Sequence, residues 1–272
     1  MIARFPYGHS EHDAVTDWLV STVIKAKADK RISEVAKFKK ADTPITMLRN
    51  LAMLEAKKAG VDFVLMIDSD MDPDKYLGID PTAKPFWDVA IDFALSHQGP
   101  CVIAAPYSGP PPHELPYIGQ WTNRQSDHPD ADLKLEMMTR EQAAVRTGIE
   151  EVAALPTGII LIDVRCLEYI SPPWFDYEYA DPPFNTEKAT TEDIYFTRNL
   201  SLAGVPQYVA WDCWAGHLKQ KSVGKPRPLN CDVVRKEFRE AIVRNQPSDE
   251  KLVFFDGQNE GKQPHELIVG SE

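Results

Sequence analysis

Apolar residues fall along the chain in two rhythms. Runs such as DFVLMI at 62–67 and CVIAAPY at 101–107 are apolar at nearly every position, which suits strands covered on both faces. Between them, HDAVTDWLVSTVIKA at 12–26 spaces Val15, Trp18, Leu19, Thr22 and Val23 as one face of a helix does. TPITMLRNLAMLEAKKAG at 43–60 carries the end signals of a helix: Thr43 as N-cap, Pro44 in the first turn and Gly60 after the last. With a short strand in MIARFPY at 1–7 and another in RISEVAKFKK at 31–40, the first 70 residues alternate strand and helix. That alternation predicts a parallel sheet with helices on its faces.

The pattern continues with a helix in PFWDVAIDFALSHQ at 85–98, the strand at 101–107, strand character in EEVAALPTGIILIDV at 150–164 and a helical turn in RCLEYI at 165–170. A helix in TEDIYFTRNLSLAG at 191–204 closes on Gly204, a last strand lies in PQYVAWD at 206–212, and a C-terminal helix is predicted in DVVRKEFREAIVRN at 232–245. Residues 108–140, rich in Pro, His and Asp, read as a long loop, and such loops are often functional. The fold class predicted is α/β, a mostly parallel central sheet flanked by helices. Its expected domain spans 1–220, in two halves that meet at about residues 106–107. A C-terminal loop, helix and tail fill 221–272.

Composition narrows the function. Thirty Lys and Arg against 41 Asp and Glu give a net charge of -11, which opposes non-specific binding to nucleic acid or an anionic membrane. No apolar run approaches the length of a membrane span, and the N-terminal MIARFPYGHS lacks a signal-peptide core. The four cysteines are widely spaced without a C-x-x-C, so no zinc site or disulfide framework is indicated. These features predict a cytoplasmic protein with reduced thiols.

One stretch conflicts with simple burial. VDFVLMIDSDMDPD at 61–74 runs from the apolar strand into Asp68, Asp70, Asp72 and Asp74. In an open α/β sheet, ligands bind beyond the carboxyl ends of the strands. Asp68 and Asp70 there offer oxygen ligands suited to Mg²⁺ or Mn²⁺, whereas a solvated acidic turn would have no such role. A calcium EF-hand fits less well, because Pro73 and Ile79 stand where glycine and a bidentate Glu are needed. Glu192 and Asp193 open a helix, where the dipole favours carboxylates, so capping alone would also explain them. His217 follows a strand end with Lys219 and Lys221 beside it, a set that could complete a metal shell and meet phosphate.

The order of motifs is more specific than any one. RNLAMLEAKKAGVDFVLMIDSDMDP, LPTGIILIDVRCLEYISPPWFDYEY, TEDIYFTRNLSLAG and WAGHL succeed one another. The series resembles the GT-A glycosyltransferases, and most of all the small stand-alone forms of phage and bacterial genomes, over about residues 1–220. The resemblance implies that Asp68-Ser69-Asp70 is the D-x-D holding Mn²⁺ or Mg²⁺ against a donor diphosphate, with His217 as a further ligand. It places Arg49, Asn50, Pro6, Tyr7, Ser69, Lys219 and Lys221 around the donor, and Thr157, Gly158 and Trp174 near the acceptor. Glu192-Asp193 matches the acidic pair whose Asp meets the acceptor hydroxyl. The implied partners are a nucleotide-sugar donor, a UDP-sugar foremost, and an acceptor that is a glycan, a protein or a modified DNA base. Residues 216–227 are expected to close over the donor as a basic lid. Two alternatives stand beside this reading: a phosphohydrolase of the haloacid-dehalogenase type, which also sets D-x-D after a strand, and a non-catalytic nucleotide-sugar-binding protein.

Overall fold

The computed structural model describes residues 1–5, 13–40, 44–109, 115–122, 134–180, 183–186, 188–218 and 240–242. The chain begins with β1 (Ile2–Phe5), α1 (Asp13–Ala28), β2 (Lys37–Lys39), α2 (Ile45–Ala59) and β3 (Phe63–Asp68). A two-residue β4 (Met71–Asp72) precedes α3 (Phe86–Ser96), β5 (Val102–Ala104), β6 (Gly119–Trp121), β7 (Lys134–Met137), α4 (Arg140–Ala144) and β8 (Ile149–Val152). Then come β9 (Ile159–Asp163), a 3-10 turn (Val164–Glu168), β10 (Glu178–Tyr179), β11 (Lys188–Thr190), α5 (Glu192–Leu202), β12 (Gln207–Ala210), β13 (Gly216–His217) and β14 (Glu240–Ile242).

Seven strands form the central sheet in the order β2-β1-β3-β9-β5-β12-β8. β2, β1, β3, β5 and β12 run one way, and β9 and β8 run the other. Along β3 the side chains alternate. Val64 and Met66 join a core with Leu48, Ala52 and Met53 of α2 and Phe196 and Leu200 of α5. Leu65 and Ile67 join another with Val15 and Trp18 of α1 and Phe86 and Ala90 of α3. Because a strand turns successive side chains to opposite faces, a run buried on both sides must be apolar throughout, as this one is.

Several expectations needed adjustment. The segment 150–164 is two strands rather than one: β8 lies at the sheet edge and β9 at its centre, antiparallel to both β3 and β5. Pro156 and the small pair that follows it break the apolar run between them. The expected loop 108–140 contains β6 and β7, which pair antiparallel. Pro44 itself occupies the N-cap position of α2, and Thr43 lies outside the described residues. Gly60 ends that helix at φ 65, a left-handed conformation that glycine adopts without strain. Of the predicted C-terminal helix, only 240–242 are described, and they form β14 on the edge of β7, whose unpaired backbone groups invite a further strand.

The topology gathers one end of the sheet into a polar rim. The carboxyl ends of β1, β3, β5 and β12 point there, and so does the start of the reversed β9. Helices that precede parallel strands, α2 and α5, bring their N-terminal turns to the same rim.

Candidate active site

The four aspartates after β3 have separate fates. Asp68 accepts from Arg49 Nη2 with both oxygens, at 3.0 and 2.9 Å. Asp70 Oδ2 lies 3.3 Å from His217 Nε2. Asp72 stands 3.7 Å from Lys75 near the surface. Asp74 turns inward, accepting from Trp18 Nε1 and from the backbone N–H of Phe86 at the start of α3, both at 2.8 Å.

His217 reaches Asp70 through the backbone. β13 pairs antiparallel with β4, setting His217 opposite Met71 and Gly216 opposite Asp72, and Leu218 N–H donates to the Asp70 carbonyl at 2.7 Å. The imidazole packs edge-on to Tyr107, ring centroids 4.9 Å apart. Its Nδ1 lies 3.2 Å from the Ser108 carbonyl, which can only accept, so that nitrogen carries the proton. Nε2 is thereby turned toward the Asp70 carboxylate.

This pair fits a divalent ion chemically. An imidazole nitrogen and a carboxylate oxygen suit Mn²⁺ and, with more oxygens, Mg²⁺; an Nδ1–H donated to a backbone carbonyl is the usual support of a ligating histidine. Among the described residues, no group of three or more His, Cys, Asp or Glu gathers closely enough to hold a metal. Asp68, expected beside Asp70, instead faces Arg49.

Arg49, on the first turns of α2, is the buried cation of the rim, its side chain 3% exposed. Nη1 donates to Glu192 Oε1 at 2.7 Å while Nη2 holds Asp68. The rings of Phe5 and Phe175 flank it, 5.8 and 5.9 Å from the guanidinium carbon. Burial works against its charge, but Asp68, Glu192 and Asp193 outweigh burial and hold it above the usual arginine range. Burial pushes Asp68 and Glu192 above the ordinary carboxylate range, against the pull of Arg49.

Asp193 is half-buried in the first turn of α5. Its Oδ1 accepts from the Thr191 hydroxyl and from the Ile194 N–H, and Oδ2 has no hydrogen-bond partner among the described residues. Its charge reaches Tyr107 and Tyr117, whose phenols burial already pushes up, with Asp193 the next cause for each. Burial also lifts Tyr177 to about 12 beside Glu192. All three phenols therefore remain neutral donors near neutral pH.

The remaining expected residues divide. Asn50 spends its whole amide on the backbone: Nδ2 donates to Thr46 and Phe175 carbonyls, and Oδ1 accepts from the N–H groups of Trp174 and Phe175. It clamps the 172–176 segment to α2, and no hydrogen-bonding group remains for a donor. Trp174 is buried in the core with Lys57 over its ring at 6.0 Å. Thr157 is fully buried. Gly158 passes its carbonyl to Asp68 N–H, and a Cβ there would meet Tyr107 and Met71 at 2.8 and 2.9 Å, so that space is taken by the protein itself. Ser69 is buried, its N–H donating to the Phe5 carbonyl. Pro6, Tyr7, Lys219 and Lys221, with most of the expected lid, lie outside the described residues.

Sequence reasoning overlooked Tyr107, Tyr117 and Phe175. Tyr107 ends CVIAAPY at a strand's carboxyl end, the rule that singled out Asp68, and could have been found by it. Tyr117 and Phe175 carried no comparable signal.

No family model matches the sequence, and a search of curated proteins finds no match. Solved structures give distant likenesses. "Crystal Structure of A197 from STIV" is 16% identical, with 83% of this chain and 97% of that one covered, at a TM-score of 0.43. GalNAc-T7 with UDP, GalNAc and Mn²⁺ is 10% identical, with 80% of this chain covered, at a TM-score of 0.40. The matched region spans 37% of the GalNAc-T7 chain. UDP-glucose pyrophosphorylase complexed with UDP-glucose is 10% identical, with 79% and 90% covered, at 0.39. Likenesses at this level say nothing about chemistry, which rests on the rim itself.

Proposed function

We propose that the chain is a divalent-metal-dependent glycosyltransferase of the GT-A type, moving a sugar from a nucleotide-sugar donor, with UDP-sugars the first to test, to a hydroxyl acceptor. The observation that carries this reading is the Asp70–His217 pair, built by β4 and β13 beside the carboxylates of α5. An imidazole nitrogen and a carboxylate oxygen 3.3 Å apart suit one divalent cation, and the rest of that cation's shell suits diphosphate oxygens. Mn²⁺ or Mg²⁺ held there would offset the charge gathering on the departing diphosphate.

The chain's own groups do the rest. Asp193 Oδ2 takes the acceptor hydroxyl's proton as the new C–O bond forms and the bond from sugar to diphosphate breaks. The Thr191 hydroxyl and Ile194 N–H hold the other oxygen, which fixes the carboxylate's aim. The neutral phenols of Tyr107 and Tyr117 line the same end. The phosphohydrolase alternative needs a carboxylate free to attack, and Asp68 has both oxygens committed to Arg49.

A thermal-shift series of nucleotide sugars with and without Mn²⁺ tests the reading. A true donor at a hundred times its Kd should stabilise the fold by about 2.7 kcal/mol, and only with metal present. No metal-dependent shift with any nucleoside diphosphate or sugar nucleotide would sink it. Turnover of an aryl phosphate with Mg²⁺ alone would favour the phosphohydrolase, and donor binding without slow donor hydrolysis a binding protein. Asp193→Asn should keep metal-dependent UDP binding while transfer falls by about 10²–10⁴, the usual range for a lost general base.

A further inference from the structure

Arg49, Asp68 and Glu192 come from three elements, α2, β3 and α5, and meet at one guanidinium. Each arm of the fork goes to a different part of the site. Nη2 grips the end of β3, two residues before Asp70, and Nη1 grips the first residue of α5, one before Asp193. The rings of Phe5 and Phe175 lie 5.8 and 5.9 Å from the guanidinium carbon. Phe175 in turn stacks on Phe196 of α5, with centroids 4.2 Å apart and planes 25° from parallel.

The first turn of α5 carries a side-chain bond of its own, from Ile194 N–H to Asp193. Its N-cap, Thr191, makes no side-chain cap bond to the helix backbone, because its hydroxyl goes to Asp193. Exposed helix ends fray unless something outside ties them. The ion pair from Arg49 is a tie from outside, and it leads to the strand that carries Asp70.

We propose that Arg49 is a positioning residue: by joining Glu192 to Asp68 it sets the separation between the Asp193 carboxylate and the Asp70–His217 pair. Its catalytic consequence rests on the glycosyl-transfer reading, and its structural part does not. Both Nη groups are spent inside the protein, so Arg49 acts through its neighbours and not by touching the donor. Lysine has the same charge but a single nitrogen on a flexible stem, and cannot hold two carboxylates in a fixed fork.

The test is Arg49→Lys in the full chain, with three readouts. Amide hydrogen exchange at 193–196 should quicken by at least about tenfold as the first turn of α5 comes loose. Calorimetric binding of UDP with Mn²⁺ should stay within about threefold of wild type, a change of well under 1.4 kcal/mol. Transfer should lose about a hundredfold in kcat with KM for the donor held, the cost of about an ångström of misplacement. Wild-type exchange, or faster exchange with unchanged kcat, overturns the proposal. Should wild type itself show no metal-dependent UDP binding, the glycosyl-transfer reading fails, while the exchange comparison still decides the tether. Should Arg49→Lys fail to fold, Glu192→Gln keeps an oxygen for Nη1 and removes the ion pair. Exchange at 193–196 should then quicken about threefold, because charge-assisted bonds are roughly twice as strong as neutral ones; unchanged exchange overturns the proposal.

Discussion

Asp68 and Asp70 stand two residues apart at one strand end, yet their surroundings differ in kind. Asp68 is neutralised from within: both its oxygens rest on a buried guanidinium that two aromatic rings enclose. Asp70 faces an imidazole whose other nitrogen, Nδ1, lies 3.2 Å from the Ser108 carbonyl. One carboxylate has its cation built into the fold, while the other stands beside an imidazole nitrogen, a donor pair whose chemistry suits a divalent cation. The lesson is that a D-x-D pair need not act as a unit. The strand ends at Asp68 and the chain turns at Ser69 and Asp70, so the two side chains meet different partners, and those partners decide what each carboxylate can do.

The most damaging way to probe that contrast is Arg49→Met. Two buried carboxylates would lose their partner, a change that typically costs about 3–5 kcal/mol. Urea denaturation would show it, and adding Asp68→Asn in the same chain should recover part of the loss. Full stability in Arg49→Met would mean that Asp68 is no more fixed than Asp70. On the other side, Asp70→Asn should leave the denaturation midpoint near wild type but weaken Mn²⁺-dependent UDP binding by about 10–100-fold, the range seen when metal shells are disturbed. Equal loss of stability in the two variants would erase the distinction.

His217→Gln should act on the same side more mildly. An amide oxygen can still meet an ion, so the expected loss of metal-dependent UDP affinity is about tenfold. Calorimetry in Mn²⁺ reads it, and unchanged affinity would remove His217 from the metal shell. Asp72→Asn should do least. Its long contact with Lys75 is a surface pair, worth about 0–1 kcal/mol, and UDP binding should not move. A large effect there would move the cation site along the acidic run.

The elements themselves were mostly legible. The apolar run from Phe63 to Ile67 reads as a strand covered on both faces, and Gly60 as the end of the helix before it, and the structure agrees. The helix opened by Glu192 and Asp193 was also plain, as were the strand ends where ligands gather. What was not legible was which neighbours, distant in sequence, each residue meets. Asn50 sits beside Arg49 and was grouped with it, but one turns to the rim and the other clamps the backbone at Trp174 and Phe175. Trp174, expected near the acceptor, is buried in the core. Gly158, expected near the acceptor, lies close against Tyr107 and Met71.

The sequence by itself determined the alternation of strand and helix, the apolar runs that must be buried and the acidic cluster that had to sit at a strand end, because periodicity and turn chemistry are local properties. Tertiary structure alone decided that β9 enters the sheet antiparallel between β3 and β5, that Arg49 joins residues 19 and 143 positions away, and that two-residue strands bring His217 across 147 positions to Asp70. Those pairings are fixed by backbone hydrogen bonds and buried charges that exist only once the chain has closed on itself, and no local pattern encodes which distant partner satisfies them.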